Sequence, residues 1–147
     1  MKLILEKETA SPEETESFAA DWAKSLVPGD IIGLCGDLGA GKTTFTRGLF
    51  EGLGGREGIV HSPTFTLLQQ YPTPGGLIHH FDLYRLEKPQ DFEGLDFEET
   101  IFSDGISVIE WADKFKFLNK YLKYRVELKS QGPEVRHIRI YSSRGNS

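Results

Sequence analysis

With Cys35 as its sole cysteine, the chain cannot close an intrachain disulfide, which points to a reducing compartment. Long apolar runs are missing as well. Only Leu3, Ile4 and Leu5 separate Met1-Lys2 from Glu6, too few for a signal-peptide core, and nothing approaches the ~20 apolar residues of a membrane span. A cytoplasmic protein is expected. Positive charge is in deficit, with 17 Lys and Arg against 22 Asp and Glu for a net charge of −5. That balance repels a polyphosphate backbone and argues against a stand-alone nucleic-acid binder, although a local basic patch stays open. His61, His79, His80 and His137 have neither metal-ligand spacing nor companion cysteines, so no zinc site is expected.

What is present is ordinary for a folded domain: 38% hydrophobic and 27% charged residues in 147, enough for one domain with a real core. "KLILEK" reads as a short strand. In "SPEETESFAADWAKSLVPG", Ser11 is a helix cap, Pro12 fits the first helical position and Glu14 completes an S-x-x-E capping box. Phe18, Ala19, Trp22, Ala23 and Leu26 then share one face, and Pro28-Gly29 ends the helix. "DIIGLC" (Asp30–Cys35) is a nearly continuous apolar run, the signature of a strand buried on both faces of a parallel sheet. A second helix is expected over Lys42–Leu53, closed by Gly54-Gly55.

"TFTLLQQY" and "LIHHFDLY", joined by "PTPGG", read as a hairpin, "GISVIE" (Gly105–Glu110) as another buried strand. "YRVELKS" and "VRHIRIYS" around "QGPE" form a second, half-exposed hairpin, and "SRGNS" is expected to fray. Together these predict an α/β domain with a mixed sheet and no internal boundary.

Gly36, Gly41, Lys42 and Thr43 satisfy G-x-x-x-x-G-K-[ST], with a strand before and a helix after, as a phosphate-binding P-loop requires. The glycines permit positive φ and turn N–H groups inward, while the following helix aims its positive end at the same anion. Lys42 would reach the β- and γ-phosphates, and the Thr43 hydroxyl would ligate Mg²⁺. Asp37 either orients a water, caps the following turn or is a solvated loop acid.

A P-loop site also needs an acid on the metal side, at the carboxyl end of a buried strand. Glu110 ends "ISVIE" and ranks as that acid; Asp82 ends "LIHHFD" and ranks as the water-positioning acid. "SPTF" (Ser62–Phe65) reads as a turn or a γ-phosphate-sensing loop. Cys35 reads as a small core hydrophobe, the five acids of "DFEGLDFEE" as a solvated surface, and Trp111 as either core or a ring over the nucleotide. The only "NK" reads Asn119-Lys120-Tyr121-Leu122, lacking the acid of the guanine-selecting N-K-x-D. No arginine falls between Arg85 and Arg125, where a small kinase would carry an arginine-rich lid. Neither Arg47 nor Arg85 can be assigned to the γ-phosphate from sequence.

"GDLGAGKTTFTRGL", "SPTFTL", "HFDLYRL" and "EWADK", in this order from about Leu34 to Lys114, resemble the TsaE (YjeE) family. The resemblance implies a single P-loop ATPase domain over residues 1–147 with a mixed, partly parallel sheet flanked by helices. It implies a bacterial ATPase needed for the threonylcarbamoyl modification of the adenosine beside the anticodon in tRNA, working with the TsaD and TsaB proteins. It further implies ATP held by Asp37, Leu38, Gly39, Ala40, Gly41, Lys42 and Thr43, and Mg²⁺ held by Thr43 and Glu110. Asp82 would be needed for hydrolysis, "SPTF" would respond to nucleotide, and the stretches around Ser11 and "SQGPE" would lie near the adenine.

Overall fold

The computed structural model describes residues 1–37, 39–56 and 67–143. Leu38, the "SPTF" segment and the last four residues of the expected frayed tail lie outside them.

All five side chains of β2 (Ile31–Cys35) are buried, as its unbroken apolar run demands. β2 sits at the centre of a seven-stranded sheet of order β1-β7-β6-β2-β5-β4-β3. It runs parallel to β5 (Ile106–Glu110) on one side and to β6 (Tyr124–Ser130) on the other. β4 (Gly76–Asp82) continues the parallel set beyond β5, with β3 (Leu68–Thr73) antiparallel at that edge. β7 (Arg136–Ser142) pairs antiparallel with β6, and β1 (Lys2–Thr9) antiparallel with β7 at the opposite edge. The expected mixed, partly parallel sheet is therefore present. The β3–β4 hairpin is tighter than its "PTPGG" connection predicts, because Pro72 and Thr73 still pair and only Pro74-Gly75 turns. Pro72 is tolerated there because β3 is an edge strand.

α1 (Pro12–Ala23) and α2 (Lys42–Gly52) cover one face of the sheet. Ser11 caps α1 by accepting the Glu14 N–H at 3.2 Å, while the Glu14 carboxylate accepts from Ala10 at 3.0 Å, one residue earlier than a standard capping box. Phe45, Leu49 and Phe50 of α2 pack with Trp22 of α1 over Ile32, Leu34 and Val108. The other face is covered near β2, β5 and β4 by α3 (Phe97–Ile101) and by 3-10 turns. The acids of "DFEGLDFEE" stay on the outside, as expected, yet Phe92 and Phe97 turn inward with ring centroids 5.3 Å apart. Cys35 is buried in this second cluster, and burial pushes its thiol up to about 12, which keeps it protonated and unreactive. No described helix is long and apolar enough to cross a membrane.

Asp30 shows how the entry to β2 is held. Its fully buried carboxylate accepts the Val27 N–H at 2.9 Å and meets Lys123 at 3.1 Å, tying the α1–β2 connection to the start of β6. Asp30→Ala takes the acceptor from the part-buried Val27 N–H and the partner from Lys123, so a loss of roughly 2–3 kcal/mol is expected. Thermal melting followed by circular dichroism should show a fall of about 4–12 °C, at the usual 2–4 °C per kcal/mol for this size.

Candidate functional site

The parallel strands β2, β5 and β4 end along one rim, and the sequence-selected residues meet there. From the end of β2 the chain turns through Gly36 and Asp37, and the Ala40 N–H closes back on the Asp37 carbonyl at 3.0 Å. Gly36 has no room for a side chain, since a Cβ would lie 2.5 Å from the Leu128 carbonyl oxygen of β6. Gly41 precedes α2 at φ 100° and offers no side-chain cap. The first N–H groups of α2, from Lys42 through Thr43, therefore lack a side-chain acceptor, which makes this helix end receptive to an anion. Thr43 is half-buried at that end. Gly39, Ala40 and Gly41 lie in the same loop; Leu38 falls outside the described residues.

The Lys42 side chain is nearly buried. Its ammonium donates to the carbonyls of Gly36 at 2.6 Å and Asp37 at 2.8 Å, and stands 3.8 Å over the Trp111 ring. Burial pulls its pKa below the usual lysine value, opposed by the negative charges of Glu110, Asp113, Asp82 and Asp37 in that order. The buried positive charge is thus ringed by carboxylates.

Asp82 and Glu110 are direct partners across the β4–β5 pair, so both leave the sheet on the α2 side. Glu110 is buried and one of its oxygens, Oε2, accepts from Nε2 of the buried His80. Asp82 Oδ1 accepts the Tyr84 N–H at 3.0 Å. Burial nevertheless raises the Asp82 pKa, and the neighbouring Glu110 charge raises it further. Two adjacent carboxylates, with Thr43 at the same rim, make a hard-oxygen donor set that fits Mg²⁺.

Trp111 is half-buried and packs against the second hydrophobic cluster, as the core reading expects. At φ 64° it turns the chain sharply after Glu110 and lays its ring under Lys42, 5.2 Å from Tyr84. Such a backbone conformation is rare for a bulky residue and is held here by the Trp111 N–H bond to the Leu34 carbonyl at 3.0 Å. Arg47 bonds Glu16 at 3.1 Å between α2 and α1, and Arg85 is exposed beyond β4.

Two residues at the rim escaped the sequence reading. His80 lacks metal-ligand spacing, as the other histidines do, yet it stands in phase with Ile78 and Asp82 on the buried face of β4. Arg136 likewise stands in phase with buried Ile138 and Ile140 on β7, and its Nη2 donates to the Gly39 carbonyl at 3.0 Å. A polar residue on the apolar beat of a strand was the available signal in both.

The order of these parts agrees with a family model described as threonylcarbamoyl adenosine biosynthesis protein TsaE, which matches residues 9–138. The chain belongs to the TsaE family. A TsaE relative from Bacillus subtilis, described as a tRNA threonylcarbamoyladenosine biosynthesis protein, is 39% identical over 138 residues, covering 94% of this chain and 85% of that protein. Another TsaE protein, from Rickettsia typhi, is 44% identical over 108 residues, or 74% of each chain. The crystal structure of Bacillus subtilis YdiB is similar with a TM-score of 0.74 at 32% identity, covering 99% of this chain and 90% of that one. The resemblance carried by the four TsaE motifs and the mixed α/β sheet are thus both borne out.

Proposed function

We propose that this TsaE-family chain is a single P-loop ATPase domain serving the bacterial machinery that makes the threonylcarbamoyl modification of adenosine beside the tRNA anticodon. It acts in the cytoplasm with TsaD and TsaB proteins, and meets tRNA through that complex. The observation that carries the reading is the buried Lys42 ammonium at an uncapped helix end, facing the paired carboxylates of Asp82 and Glu110.

The chemistry follows from these groups. Phosphate oxygens take the N–H groups of Gly39, Gly41, Lys42 and Thr43, with Asp37, Leu38 and Ala40 completing the loop, and draw the Lys42 ammonium from its two loop carbonyls. Exchanging two neutral acceptors for an anion strengthens its hydrogen bonds. Thr43 and Glu110 would hold Mg²⁺, which would offset phosphate charge. His80 fixes the Glu110 carboxylate through Oε2. Asp82 orients the water that attacks the γ-phosphorus, and ADP leaves as the P–O bond breaks. The raised Asp82 pKa gives that carboxylate more basicity than an exposed aspartate.

Hydrolysis by the chain alone is expected to be slow, because Arg47 is committed to Glu16 and leaves no helix-borne arginine for the developing charge. A charge supplied in trans is worth roughly 10³–10⁵ in rate in other P-loop enzymes. ADP release should be measured for the chain alone, with TsaD–TsaB complex, and with free tRNA. The rate should saturate with added complex and ignore tRNA. Fast turnover unchanged by the complex, and enhanced instead by a small-molecule acceptor, would overturn the reading in favour of a kinase.

A further inference from the structure

Arg136 opens β7 on the apolar beat, so its side chain rises from the sheet on the α2 side. Its guanidinium joins two regions far apart in sequence. Nη1 donates to the carbonyls of Gly132 at 3.0 Å and Val135 at 2.9 Å, and to Ser130 Oγ at 3.3 Å. Nη2 donates to the Gly39 carbonyl at 3.0 Å and reaches the Pro133 carbonyl at 3.5 Å. Every acceptor is neutral.

Three other arginines differ. Arg47, Arg125 and Arg139 each pair with a glutamate, namely Glu16, Glu127 and Glu6. Among the described residues no carboxylate lies within ion-pair distance of Arg136, and its Nε has no hydrogen-bond partner. The space beside Nε belongs to Gly41: a Cβ there would sit 3.7 Å from Nε and 4.0 Å from Cδ and Cγ. The arginine stem thus lies along the bare backbone of Gly41, the residue that opens α2. A planar cation, braced by the β6–β7 turn, presents an unfilled donor at the lip of the phosphate loop. Guanidinium groups favour anionic oxygens over carbonyls, and their fork matches phosphate.

We propose that Arg136 is a nucleotide-binding residue that contacts the phosphate chain, delivered to the P-loop by the β6–β7 hairpin. This rests on the nucleotide reading above and deepens it. Because the turn braces the guanidinium before any ligand arrives, the contact belongs to the ground state. ADP and ATP gain from it alike, and its loss falls on affinity more than on turnover.

Calorimetry of ADP and of inorganic pyrophosphate binding to the wild type, Arg136→Gln, Arg136→Lys and Lys42→Ala tests it. Arg136→Gln should weaken both ligands by about 10–100-fold, the size of a charge-assisted contact, and Arg136→Lys by less. ADP affinity within twofold of wild type in the folded Gln variant would overturn the proposal. So would a loss for ADP with none for pyrophosphate, since that places the arginine on the base or sugar. Should the Gln variant fail to fold, Arg136→Lys carries the comparison, and arginine Nε–H resonances of the wild type supply a second measurement. The resonance missing from the Lys variant should shift on adding pyrophosphate, and its failure to move overturns the contact. If Lys42→Ala also binds ADP normally, the P-loop reading itself fails; if it alone loses binding, only the Arg136 proposal does.

Discussion

Asp82→Asn is expected to lower the ATP turnover number by roughly 10²–10⁴-fold, the range for a positioned acid–base group, and to leave ATP bound. Asparagine keeps an oxygen to accept the Tyr84 N–H, so the local turn should survive. The same substitution should raise the melting temperature at neutral pH. Burial, with Glu110 adding to it, lifts the Asp82 pKa above 3.8, so the folded chain holds this proton more tightly than the unfolded chain. Its favourable contribution is present below pH 3.8 and is lost as pH rises through the raised folded value. The variant's thermal advantage should therefore appear at neutral pH and shrink as pH falls towards 3.8. A variant that gains stability while losing turnover marks Asp82 as serving chemistry at the expense of the fold. If steady-state kinetics show unchanged turnover, the water-positioning role passes to another group.

Lys42→Ala should weaken ATP binding about tenfold to 150-fold, the value of a charge-assisted contact worth roughly 1.5–3 kcal/mol. The fold should tolerate the change, because the Gly36 and Asp37 carbonyls that lose their donor lie in a loop open to water. The two effects differ in kind, since Lys42→Ala moves the dissociation constant and Asp82→Asn the turnover number. Titration calorimetry that finds ATP affinity intact in Lys42→Ala would remove the phosphate assignment.

Much of this site was legible because its chemistry is local in sequence. Gly36 to Thr43 is one uninterrupted loop, and its function follows from glycine conformation and a helix end. Glu110 and Asp82 were legible because each closes an apolar strand, and parallel strands deliver their carboxyl ends to one rim. What the sequence hid is what pairing creates. Asp82 and Glu110 lie 28 positions apart, yet they are direct neighbours because β4 and β5 are in register. His80 meets Glu110 through the same register, and Arg136 meets Gly39 across 97 positions. The role of Trp111 was likewise hidden, because the left-handed turn that lays its ring under Lys42 has no marker in residue type.

The edge pairing of β1 with β7 has a consequence for biosynthesis. Lys2 lies opposite Ser142, so β1 leaves the ribosome some 140 residues ahead of the strand it pairs with. At roughly 5–20 residues per second that wait is on the order of 7–30 s. Throughout it, Leu3, Ile4 and Leu5 are an unclaimed apolar segment, and they remain 42%, 43% and 39% exposed even when paired. The nascent chain thus carries this apolar stretch unpaired until β7 follows, and a holding chaperone that binds short apolar strands has its window there.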